Sequence, residues 1–198
     1  MTITPFSRRE LSLLQDQDFL QTKKTIISKI QQLLGIAQKE LEQNLAQSQF
    51  SDGVISRFRP MKISRGENYR DLPYLVLDYP ATFSKEDIFA FRTMFWWGNF
   101  FSCTLHLQGR SLSFYRTKIL ENMDQFVGEN YYLCIGDSPW EYHYGSDNYK
   151  LISSNDIDTI KKCRFLKLSK KIDLDKWEVL PAFSTSCLSH FLKILNTK

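Results

Sequence analysis

Residues 74–109 read YLVLDYPATFSKEDIFAFRTMFWWGNFFSCTLHLQG, the densest apolar and aromatic stretch of the chain. In its middle, Ser84-Lys85-Glu86-Asp87 has the spacing of a capping box. A serine at the cap accepts from the amide three residues on, and an acid at that third position reaches back. Phe83 and Ile88 have the spacing of a hydrophobic staple, and Glu86 and Asp87 lie where a helix dipole favours negative charge. Ile88, Phe91 and Phe95 then recur at helical intervals. Together these signals predict an amphipathic helix over residues 84–95, ending near Gly98. Before it, YLVLDYP reads as a strand stopped by Pro80. After it, Phe101, Cys103, Leu105 and Leu107 alternate with Ser102, Thr104, His106 and Gln108, the period of a strand with one apolar and one polar face. The expectation is strand, helix, strand, with Thr104 and His106 on a polar face or lining a cleft.

Outward from this centre, Ser7-Arg8-Arg9-Glu10 is a full capping box, with Phe6 and Leu11 as its staple, and opens a short helix. From about Thr22, Ile26, Ile27, Ile30, Leu33, Leu34, Ala37, Leu41 and Leu45 keep helical spacing and make the longest helix. Gly35 inside it costs about 1 kcal/mol relative to alanine, which suggests a kink or a close packing contact. No heptad persists long enough for a coiled coil, so residues 1–48 are expected to pack on the sheet. Val54–Arg59 reads as a strand. Residues 111–126 read as a helix ended by Gly128, and Tyr131–Gly136 as a strand. A short strand at 150–153, a helical turn from Ser154, a strand over 164–168 and a helix over 183–195 complete the chain. The fold class that follows is α+β in a single domain. It has a mixed or largely antiparallel sheet packed by a long N-terminal helix, two central helices and a C-terminal helix.

A length of 198 residues suits one domain, and 42% hydrophobic with 24% charged residues is too apolar for disorder. No apolar run is long enough to span a bilayer, and Met1–Pro5 lacks the regions of a signal peptide, so an unexported, cytoplasmic chain is expected. Cys103, Cys134, Cys163 and Cys187 stand singly and suit reduced thiols. The net charge of +4 is polarised: three Lys and Arg face six Asp and Glu over residues 111–150, against nine and five over 151–198. That is not the uniform basic stripe of a nucleic-acid binder, which leaves nucleic-acid contact through 57–70 and 161–171 as a weak alternative.

The histidines, at 106, 143 and 190, form no HxH or HExxH arrangement, so no metal is expected. GxGxxG, GxxxxGK[ST] and GxSxG are absent, and no cofactor is implied. Contact chemistry concentrates in two places. The segment DSPWEYHYGSDNY carries Asp137, Trp140, Glu141, Tyr142 and His143; it reads equally as a contact loop and as a hairpin with cross-strand aromatic pairs. Arg92, Trp96, Trp97 and Asn99 cluster near His106, as polar contacts in an aromatic-walled pocket or as core aromatics. Arg57 and Arg59, two apart on one strand, could clamp an anion or protect a sheet edge. The leading functional expectation is a binding or interaction module for a small ligand or a protein partner, with its oligomeric state open. The alternative is an enzyme with His106 or His143 as base, Glu141 or Asp137 orienting it, and Arg92 or Arg57 holding an anionic substrate.

Overall fold

Ser84 Oγ accepts from the amides of Glu86 at 3.3 Å and Asp87 at 3.0 Å, the bonds expected of a helix cap. In the computed structural model, which describes residues 3–48 and 62–197, those bonds close a turn between two strands instead. The predicted helix over 84–95 is therefore corrected: residues 87–96 are extended. Phe89, Phe91 and Phe95 face one side of the strand and Ile88, Ala90, Met94 and Trp96 the other, and all are buried. A strand covered on both faces reads as a nearly continuous apolar run, which hides its period of two and lets a helical spacing be picked out of it.

The sheet has seven strands, β1 (Ser64–Tyr69), β2 (Leu72–Phe83), β3 (Asp87–Trp96), β4 (Phe100–Gln108), β5 (Tyr132–Cys134), β6 (Tyr149–Leu151) and β7 (Phe165–Ile172). Their order is β1-β2-β3-β4-β7-β5-β6, and every pairing is antiparallel. The helices among the described residues are α1 (Arg8–Gln15), α2 (Gln17–Gln47), α3 (Gly109–Glu121), α4 (Ile157–Lys162) and α5 (Leu180–Leu195). The architecture is α+β, as expected, with one of the two predicted central helices replaced by β3. Pro80 does not stop β2; the strand passes through it at a bulge between Asp78 and Ala81, where a missing ladder donor is tolerated. The expected strand at 54–59 lies outside the described residues.

Three helices cover one face of the sheet. Leu34, Leu41 and Leu45 of α2, Leu112 and Ile119 of α3 and Leu188 and Phe191 of α5 meet Leu75, Leu77, Phe91, Leu105, Leu107 and Leu168 in the main core. Gly109 joins β4 to α3 with φ +64, and a Cβ there would stand 1.8 Å from the carbonyl oxygen of Glu86. Only glycine fits that conformation and that approach. Beside it, Asp87 accepts from the amide of Ser111 at 2.7 Å, so the acid expected to cap its own helix caps α3.

The helix α2 runs unbroken through Gly35, where a Cβ would meet nothing within 4 Å. The close contact expected at this glycine is absent. Gly35→Ala should therefore raise the unfolding free energy by about 0.5–1 kcal/mol, measured in urea; a loss of stability would show that the glycine is needed.

Candidate functional site

The second face of the sheet holds most of the residues singled out in the sequence. Alternation along the strands sends Arg92 of β3, Ser102, Thr104 and His106 of β4 and Lys167 and Ser169 of β7 to the side away from the core helices. Asp78, Arg92, Thr104, Ser169 and Tyr132 occupy successive paired positions across β2, β3, β4, β7 and β5. One step along, Ala90, His106 and Lys167 do the same. The polar side of β4 is not open for recognition: Ser102, Thr104 and His106 are buried.

What buries them is the segment between β5 and β6, residues 135–148, laid across the strands. Tyr69 ties it down, its hydroxyl accepting from the amides of Tyr142 at 2.6 Å and His143 at 3.0 Å while donating to Glu141 at 3.0 Å. Asn148 donates to the carbonyl of His143 at 2.6 Å. Gly145 N–H lies 3.2 Å from His143 Nδ1, and His143 Nε2 lies 3.6 Å from Glu141 Oε2. Tyr142 joins Val76, Met94, Trp96 and Phe100 in a second apolar cluster. Of the aromatic segment, Tyr142 and His143 are thus interior: residues 135–148 are the long connection of the antiparallel β5–β6 hairpin, folded down on the sheet, with Tyr144 stacked on Tyr149 of β6.

Beneath this strap Arg92 is paired with a carboxylate, His106 is neutral, and Lys167 is held by a carbonyl and aromatic rings. Arg92 donates two bonds to Asp78, from Nε at 2.7 Å and from a terminal nitrogen at 2.8 Å, and its guanidinium lies 4.7 Å above the Tyr142 ring. Burial opposes the arginine's charge most strongly, but the Asp78 hydrogen bonds together with the electrostatic attraction of Tyr142, Asp78 and Tyr74 outweigh it and hold its pKa above the ordinary value. Lys167 is fully buried, donates to the carbonyl of Glu141 and sits 3.9 Å from the Tyr142 ring centre. Desolvation brings its pKa down to about 7. His106, its cross-strand neighbour, is pushed down to about 3 by burial and then by the Lys167 and Arg92 charges, and stays neutral. Its Nε2 makes no hydrogen bond, and its ring meets the edges of Trp140 and Phe165.

The structure therefore closes off Arg92 and His106 beneath Tyr142 and His143 of the strap, while the Glu141 side chain stays 42% exposed and faces Arg70 at 3.4 Å. Trp96 is core, donating from its indole to the Tyr69 carbonyl at 3.3 Å. Trp97 is half-buried against Phe95, and Asn99 is exposed in the β3–β4 turn, its amide bonded to the Trp97 carbonyl. Asp137 and Trp140 reach the surface. Asp137 borders a groove of about 410 Å³ between residues 134–137, α4 and Phe165, with Lys162 and Arg164 on its rim. Among the described residues no group of three or more His, Cys, Asp or Glu is placed to hold a metal. The free thiols Cys103, Cys134 and Cys187 are buried, as small apolar residues would be. The anion pair Arg57 and Arg59 lies outside the described residues. The basic run 161–171 disperses: Lys161, Lys162 and Arg164 are on the surface, Lys167 is sealed, Lys170 faces Glu129 and Tyr131, and Lys171 lies over Phe100 on the opposite side.

A different surface is exposed instead. The capping box of α1 forms as expected, Glu10 N–H donating to Ser7 Oγ at 3.2 Å and Ser7 N–H to Glu10 at 2.6 Å. Yet α1 buries no residue, and Phe6, Leu11, Leu14, Phe19 and Leu20 all stand in solvent, Leu14 at 67% and Leu20 at 62%. The N-terminal section expected to pack on the sheet does so only from about Lys23, which pairs with Glu67 of β1 at 2.7 Å. The signal was length. At 31 residues α2 spans roughly 46 Å, longer than the roughly 40 Å of the 12-residue β2 beneath it, so the helix overhangs before α1 is counted.

Comparison of the chain with protein families, with characterised proteins and with solved structures finds no match. None of the helices among the described residues is long and apolar enough to cross a membrane.

Proposed function

We propose that the chain is a protein-interaction module whose contact surface is the N-terminal arm, residues 3–20, with the strapped sheet as the body that carries it. One observation supports this above the others: α1 is eight residues long, strongly two-sided and buries nothing. An isolated helix shorter than about 12 residues is marginal in water, and tertiary cover of an apolar stripe is what normally holds one. Large apolar side chains exposed together in one short segment, with charged residues beside them, mark contact sites in soluble proteins. The strapped polar layer supports the same reading from the other side, because its lysine and arginine are turned to internal bonding and its histidine is buried, so that they present no open cleft to a substrate. Four free thiols suit a reducing compartment, and the cytoplasm is the proposed location.

The test compares the native chain with a Leu14→Asp/Leu20→Asp variant by cross-linking and native mass spectrometry. Both positions are exposed, so melting should be unchanged within about 0.5 kcal/mol, while complexes cross-linked through residues 3–20 should vanish. Identical complexes from both chains would overturn the proposal.

A further inference from the structure

We infer that the arm docks on the arm of a second copy of this chain, the two running antiparallel about a two-fold axis near Leu11 and Leu14. The inference rests on the interaction reading and names its partner.

The charges on the arm point to this occupant. Arg8 and Arg9 stand in the first turn of α1, where the helix dipole disfavours cations; past its far end Asp16 caps α2, accepting from the Phe19 amide at 2.9 Å, and Asp18 stands in the first turn of α2. None of the four forms an ion pair within the chain among the described residues. An isologous interface must be complementary to itself. Turning one arm end for end sets Arg8 and Arg9 of each copy against Asp16 and Asp18 of the other, with Leu11 and Leu14 between them. A parallel pairing would oppose like charges. The arrangement also sets the two helix dipoles antiparallel.

Exposure agrees. Phe6, Leu11, Leu14 and Leu20 are 61%, 44%, 67% and 62% exposed, apolar surface that a second copy would cover. The stripe is moreover continuous with one that is already covered. Leu20 lies on the same side of α2 as Ile27, Leu34 and Leu41, spaced by sevens, and those three are buried against the chain's own body. The same kind of surface passes from cover by its own fold to no cover at all. A lipid surface is the weaker occupant: interfacial helices carry a polar face rich in lysine and arginine, whereas here Glu10, Asp16 and Asp18 outnumber Arg8 and Arg9.

Sedimentation velocity of the full chain from roughly 1 to 100 µM, the range in which modest interfaces show their Kd, is the direct test. The native chain should sediment as a dimer and Leu14→Asp/Leu20→Asp as a monomer of unchanged melting temperature. Two charge variants sharpen it: Arg8→Glu/Arg9→Glu, and Asp16→Ser/Asp18→Lys, the serine keeping a cap for α2. Each alone should raise the dimer Kd about tenfold, since like charges then oppose at both ends, and mixing the two should restore assembly. A dimer indifferent to the leucine and charge variants would overturn the inference. So would a monomer that binds vesicles of phosphatidylcholine and phosphatidylserine through the arm. A native monomer whose arm still cross-links to another protein would sink self-pairing and leave the interaction reading standing. A native monomer whose cross-linked complexes are the same with and without the leucine changes would sink both.

Discussion

Arg92→Met should lower the unfolding free energy by about 3–5 kcal/mol, read as a shift of the urea midpoint at constant slope. The reason is what stays behind. Asp78 is buried, and both its carboxylate oxygens take bonds from Arg92; without the guanidinium, a carboxylate remains under the strap with no opposite charge. The Tyr142 ring also loses the planar group stacked on it. Removing both charges in Asp78→Leu/Arg92→Met should recover most of the loss, because replacing a whole buried pair by apolar groups of similar size is often close to neutral. A cost under about 1 kcal/mol for the single change would mean that water reaches the pair, and the sealed layer would have to be abandoned.

The second large effect is a pH dependence that belongs to one amine. Folded Lys167 has its pKa at about 7, against about 10.4 for a lysine in the unfolded chain. Between those values the unfolded chain binds the extra proton, so stability rises as pH rises from 7 towards 10, by about 4 kcal/mol at most; below pH 7 both states are protonated and the contribution is flat. Cysteines titrate in the same window with the opposite sign, and burial raises Cys134, so the informative quantity is the difference between two chains. Lys167→Met should remove the rising component, and the Cys134 titration, which the Lys167 charge lowers in the native chain, should move further up. Equal slopes for the native chain and the variant would show that the ammonium is solvated in the folded state.

Local signals in the sequence proved sound where the chain's immediate neighbours decide the outcome. Ser7 and Glu10 make their reciprocal bonds, and Phe101, Cys103, Leu105 and Leu107 line the core face of β4 as their alternation requires. Ser84 and Asp87 failed in an instructive way. Their side chains do cap backbone amides, but a serine bonded to the amides two and three residues on also closes a tight turn, and the choice between turn and helix was settled by β2 and β4 on either side of β3. The polar residues Thr104, His106 and Lys167 could not be placed from the sequence, since an alternating polar face looks alike whether water or a strap covers it. The arm was missed for a similar reason. Phe19 and Leu20 continue a stripe whose other members are buried, and nothing local reports where the body beneath a long helix ends.

The insertion of β7 between β4 and β5 has a consequence for how the chain matures. The meander from β1 to β4 is built from neighbours in sequence and closes by short turns, so it is complete soon after residue 108 is made. Its β4 rim must then wait, with its ladder groups unmet on one side, until residues 165–172 arrive to fill the slot. Synthesis proceeds from the N-terminus at roughly 5–20 residues per second, so a meander that folds as soon as it is made leaves the β4 edge open, besides the permanent β1 edge, for the few seconds before β7 follows.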